Sequence, residues 1–123
     1  MSAERLFVYG TLRPGRAPRA IAAIVATLRS LGSARVRGRL YDLGEHPGAI
    51  LDPAADGFID GEVVECADGG PGLAWFDAYE GAEFRRERAT VELAGRSVAC
   101  WVYVLVREPA SVPRIASGIW RSR

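Results

Sequence analysis

The chain has 123 residues, 49% hydrophobic and 25% charged. This balance suits one folded soluble domain over residues 1–123 with a single core, and excludes a disordered or fibrous segment. The 16 basic residues are all Arg and oppose 15 acidic ones, for a formal charge of +1; they are scattered along the chain with no basic stripe, so nucleic acid is not an expected partner.

Residues 6–9, Leu-Phe-Val-Tyr, form an apolar run closed by Gly10 and read as a buried first strand. Residues 10–16 carry two Gly and a Pro and read as a loop. From Pro18 the pattern changes. Ile21, Ile24, Val25 and Leu28 fall on one helical face, Pro18 suits the start, and Gly32 supplies a stop. Residues 34–43 alternate apolar and polar, as a half-buried strand does. A turn over 44–48, a brief strand over 49–51, a second turn over 53–57 and a strand over 58–66 follow. Gly and Pro in 68–72 break the chain before a short helix that starts at Leu73 and ends near Gly81. Residues 89–93 and 98–106 read as two strands joined by a Gly-containing hairpin loop. Trp120, in the tail, is expected to dock on the core. Short connections favour antiparallel neighbours. The predicted class is α+β, a small, mostly antiparallel, barrel-like sheet with helices packed on it.

Cys66 and Cys100 lie in apolar runs and read as buried free thiols. With His46 as the sole histidine there are too few ligands for a zinc site. No metal or other cofactor is expected. No apolar stretch reaches the ~18 residues of a spanning helix, so no membrane association is expected. Residues 1–5 lead directly into the first strand without the apolar region of a signal peptide, and cytoplasm is the expected location.

Two local features bear on chemistry. In Tyr9-Gly10-Thr11-Leu12 the missing Cβ of Gly10 allows a ligand near the main chain, and N–H groups in a turn leading to a helix suit an anion. By itself the stretch reads rather as an ordinary tight loop. Glu80 ends a short helix among aromatics. Apolar walls disfavour a charged carboxylate and raise its pKa, which suits proton transfer near neutrality. By itself it reads rather as an exposed terminal residue or an ion-pair partner of Arg85, Arg86 or Arg88. Glu62 is a rival carboxylate on a strand, and His46 sits in a Pro/Gly turn where solvation is expected. Arg13 and Arg16 read as plain surface residues, with steering of an acidic substrate as the alternative. Tyr103 and Trp120 read as core.

In their order, the blocks Phe7 to Gly15, Gly38 to Gly44 with Pro47, Gly61 to Val64, Leu73 to Arg86, and Val102 to Trp120 resemble the γ-glutamylcyclotransferase-like family over nearly the whole chain. The resemblance implies a small β-barrel with flanking helices. It also implies cleavage of a small-molecule γ-glutamyl amine or γ-glutamyl amino acid by attack of the substrate's own α-amine on its γ-carbonyl. The products are 5-oxoproline and a free amine. On this resemblance Glu80 is the catalytic acid/base, and Tyr9, Gly10, Thr11 and Leu12 bind substrate. Phe84 stands where relatives often carry Tyr, His46 precedes Pro47 where relatives often have Tyr, and Val64 replaces an aromatic. These departures bear on the substrate more than on the reaction. They also motivate an alternative, a non-catalytic module of the same fold that binds an amino-acid-like or peptide ligand.

Overall fold

The computed structural model describes residues 4–13, 17–66 and 72–120. Six strands form the sheet: β1 (Arg5–Val8), β2 (Arg29–Asp42), β3 (Pro47–Leu51), β4 (Phe58–Glu65), β5 (Phe84–Leu93) and β6 (Arg96–Leu105). Their order is β3-β2-β4-β1-β6-β5, and β5 meets β2 again at Ala34↔Leu93 and Arg35↔Glu92. That second pairing closes β2, β4, β1, β6 and β5 into a barrel and leaves β3 as an extra strand on β2. The β1–β6 pair is parallel, and every other pair is antiparallel. The small, mostly antiparallel α+β barrel read from the turn spacing is the observed architecture.

Alternation along the central strands divides burial between two sides. Phe7, Val63, Cys100, Val102 and Val104 point into the barrel. Their neighbours Leu6, Val8, Val64 and Tyr103 point outward beneath the helices. A strand needed on both faces reads as a continuous apolar run rather than an alternating one, which explains residues 6–8 and 102–105. Cys66 and Cys100 are buried and unpaired, and burial pushes the Cys100 thiol up to about 11, so it stays protonated. No helix among the described residues is long and apolar enough to cross a membrane.

The helix expected from Pro18 to Gly32 is much shorter. A 3-10 turn at Arg19–Ile21 runs into α1 (Ala22–Val25), and the chain is already extended at Arg29. Ile21, Val25 and Leu28 are buried as the spacing required. Beyond them, pairing of residues 29–37 with β4 overrides local helix preference. Gly32 does not end a helix. It sits at a β-bulge, with φ +127° where the register shifts after Ser30. A second difference is that β5 begins at Phe84, not at residue 89. The run Arg85 to Arg88 hid it, because charged side chains suit a strand whose second neighbour arrives only at its far end.

The tail docks on the barrel as expected, with Trp120 buried in the barrel core. Ile115 N–H donates to the Leu40 carbonyl at 2.7 Å, and Asp60 N–H donates to the Gly118 carbonyl at 2.8 Å. Gly118 has φ +72°, and a Cβ there would lie 1.9 Å from the Phe58 carbonyl oxygen. Gly118→Ala therefore combines backbone strain with a main-chain clash. It should destabilise the fold by about 3 kcal/mol, read as a lower urea midpoint with an unchanged m-value.

Candidate active site

The site begins where β1 runs out. After Tyr9 the chain turns, closed by Arg13 N–H donating to the Gly10 carbonyl at 3.0 Å. Gly10 is required by proximity: a Cβ would stand 2.6 Å from the Pro47 ring. The side chain of Leu12 is buried beneath the helices, and Thr11 is half-buried. Among the described residues the N–H groups of Thr11 and Leu12 donate to no backbone acceptor, and free N–H groups in a turn suit an anion. The helix thought to follow this turn is a single turn of α1, too short to add a useful macrodipole. Arg16 lies outside the described residues.

The opposite wall is α2 (Leu73–Glu80). Phe76 is its buried anchor, Trp75 meets Phe76 edge-on at 5.0 Å, and Trp75 stacks on Tyr79 at 5.5 Å. The helix stops at Gly81, where φ is +79°. Asp77 fastens it to the barrel. Its carboxylate accepts the Tyr103 hydroxyl at 2.7 Å and Arg86 Nε and Nη2 at 2.9 and 3.3 Å. The Arg86 guanidinium holds the Asp77 carboxyl below the usual range and lies over the Trp101 ring at 4.3 Å.

These elements enclose a cavity of about 300 Å³. Tyr9, Gly10, Thr11 and Leu12 line one side, Tyr79, Glu80, Phe84 and Tyr103 another, and His46 with Pro47 a third. The four loop residues and the carboxylate singled out by sequence thus come together. Burial pushes the Glu80 carboxyl up from 4.5 to about 7. The ion-pair reading of Glu80 does not hold among the described residues: Arg86 is engaged by Asp77, Arg85 by Glu87 at 2.6 Å, and Arg88 lies over Trp101. The rival carboxylate Glu62 is outside the cavity. It pairs with Arg13 at 3.1 Å and accepts Ser30 Oγ at 2.7 Å, which also removes Arg13 as a free steering charge.

Tyr9 has a different part from the one its motif suggests. Its hydroxyl donates to the Tyr103 carbonyl at 2.6 Å and accepts Ala49 N–H at 3.2 Å. Burial, together with the nearby Glu80 charge, holds the phenol firmly protonated. Its hydroxyl is a strut, and its ring is a wall. Sequence reading gave neither His46 nor Tyr103 a place in the cavity wall. His46 is half-buried with its ring 5.9 Å from Phe84, not simply solvated in its turn. Tyr103 is core and cavity wall at once. The clue to Tyr103 was parity: with Cys100, Val102 and Val104 inside the barrel, residue 103 must face the helices. No group of three or more His, Cys, Asp or Glu among the described residues converges as metal ligands.

Residues 6–122 match the model of the family described as gamma-glutamyl cyclotransferase, AIG2-like. The chain belongs to this family. Among solved structures, a mouse AIG2-like protein superposes with a TM-score of 0.78 at 21% identity, over 98% of this chain and 90% of its own. YkqA from Bacillus subtilis gives 0.72 at 24% over 97% of this chain; the present chain spans only 40% of YkqA. The ytfP protein of Escherichia coli gives 0.67 at 30% identity, over 94% of this chain and 95% of its own. The first two likenesses establish the fold alone. No curated protein sequence matches the chain.

A family member with Glu80 so placed should show it in its stability. The folded-state pKa is raised, so the protonated form is the one the fold favours. The stabilisation is complete below about pH 4.5 and is lost as pH rises through about 7. Glu80→Gln should remove that slope and, at about pH 8, be more stable than wild type by up to about 3 kcal/mol, measured by urea unfolding across the pH range.

Proposed function

We propose that this γ-glutamyl cyclotransferase-like protein is a catalyst that releases 5-oxoproline and a free amine from a small γ-glutamyl compound, with Glu80 as the proton carrier. The observation that supports this most is the sheltered Glu80 carboxyl, unpaired among the described residues, in the same cavity as the Gly10 turn.

The substrate's α-carboxylate rests on the N–H groups of Thr11 and Leu12, and its side chain folds back so that the α-amine meets the γ-carbonyl. Attack is intramolecular, so positioning supplies most of the advantage. A C–N bond forms between the α-nitrogen and the γ-carbon, and the original amide C–N bond breaks. The α-ammonium gives up two protons on becoming a lactam N–H, and the departing nitrogen takes up two on becoming an ammonium. Glu80 collects a proton from the attacking nitrogen and delivers one to the leaving nitrogen. A carboxyl near 7 lies closer to an α-amine near ~8 than an ordinary one does, which eases both transfers. Tyr9, Tyr79, Phe84 and Tyr103 supply walls that partly shelter Glu80 from water.

Incubation with a panel of γ-glutamyl compounds and assay of 5-oxoproline tests the reading. Glu80→Gln should lower kcat by about 10²- to 10⁴-fold with a smaller change in KM. In wild type, kcat/KM should rise with pH through a limb near 7, as the base form appears. A Glu80→Gln protein that keeps its rate removes this residue from the mechanism. Ligand-induced stabilisation without product favours the binding module instead.

A further inference from the structure

When the α-amine attacks, the γ-carbonyl oxygen becomes an oxyanion, and a donor already aimed at that oxygen gives catalysis one of its largest gains. In the proposed reaction the N–H groups of Thr11 and Leu12 hold the α-carboxylate and Glu80 carries the proton, so this donor comes from elsewhere in the wall. Besides Glu80, the described lining side chains able to donate are Tyr9, Thr11, His46, Tyr79 and Tyr103. Two of them are already engaged. The Tyr9 hydroxyl donates to the Tyr103 carbonyl at 2.6 Å, and the Tyr103 hydroxyl donates to Asp77 at 2.7 Å. Thr11 belongs to the carboxylate turn. Tyr79 stacks on Trp75 and is 37% exposed. His46 is half-buried, and among the described residues its ring nitrogens have no partner.

The place of His46 in the wall is set from both sides. Pro47, the next residue, packs so closely on Gly10 that a Cβ there would stand 2.6 Å from the Pro47 ring. The imidazole itself meets Phe84 with ring centroids 5.9 Å apart, and Phe84 opens β5 shortly after Glu80 closes α2. Leu43 N–H donates to the His46 carbonyl at 3.0 Å and closes the turn that carries it. The imidazole thus stands between the Gly10 turn and the wall that carries Glu80, beside the stretch that a folded-back γ-carbonyl crosses. We propose, resting on the cyclotransferase reading, that His46 is a second catalytic residue whose ring N–H donates to the γ-carbonyl oxygen as it becomes an oxyanion. Charge gathers on that oxygen as the new C–N bond forms and leaves it when the amide C–N bond breaks. The hydrogen stays on the imidazole throughout, so His46 neither gains nor loses a proton. The described lining includes no Arg to take this part instead.

The test is the kinetics of 5-oxoproline release from γ-glutamylalanine and γ-glutamylpentylamine by wild type, His46→Phe and His46→Gln, with the folding of each checked by its urea midpoint. His46→Phe should lose about 10²- to 10³-fold in kcat, with KM within about threefold, because the donor acts only in the transition state. His46→Gln keeps a side-chain N–H and should stay within about tenfold of wild type. A part in packing alone gives the reverse order, since Phe fills the wall and packs on Phe84 while Gln does not. If His46→Phe does not fold, His46→Leu supplies the apolar arm. An apolar variant that keeps its kcat, a loss that falls on KM instead, or a His46→Gln protein as slow as the apolar one overturns the oxyanion role and leaves the reaction standing. Absence of product from wild type on both substrates overturns the reaction and the role of His46 with it.

Discussion

The hydroxyl of Tyr9 is the point from which the cavity's geometry is set. It sits at the end of β1, donates to the carbonyl of Tyr103 on β6 and accepts the N–H of Ala49 on β3. β3 is hydrogen-bonded within the sheet to β2 alone, so this bond ties the extra strand across to the barrel's far side. A buried phenol with both its proton and a lone pair engaged is held in one position, because losing either partner leaves an unsatisfied polar group away from water. The Gly10 turn begins at the next residue and is pressed against the Pro47 ring. The Gly10 turn is therefore placed by the strut behind it.

The same β6 residue fixes the other wall. Tyr103 receives Tyr9 at its carbonyl and gives its own hydroxyl to Asp77, which Arg86 clamps from β5. The chain of contacts from β1 through β6 to α2 and β5 determines where α2 ends, and Glu80 is its last residue. Asp77 and Glu80 are three residues apart and have opposite fates. Asp77 has a guanidinium and a phenol donor and stays ionised. Glu80 has burial without a described donor and is pushed toward neutrality. A helix this short has little stability of its own, so fastening at Asp77 and anchoring at Phe76 hold the carboxyl against its apolar walls.

The order of strands and turns was legible because Gly and Pro punctuate the chain and because alternation marks β2 and β4. The Gly10 turn and Glu80 stood out by residue type in context, and their family pattern joined them before any contact was known. The region around Gly32 was misread, since a helical spacing at Ile21 to Leu28 satisfies the same burial whether or not the helix continues. The first half of β5 was missed because Arg and Glu side chains on a strand with one full partner mimic a polar loop.

By itself the sequence determined the local matters: where the backbone turns, which runs are apolar enough to bury, and that a carboxylate follows a cluster of aromatics. Local composition suffices there because each depends on neighbours within a few residues. Only the tertiary structure decided that β1 and β6 lie parallel, that β5 returns to β2 and closes the barrel, that the Tyr9 hydroxyl is a strut, and that Glu80 rather than Glu62 is deprived of a cation. Those outcomes depend on groups many tens of residues apart meeting in space, and a side chain's charge state follows from what surrounds it, not from what precedes it in the chain.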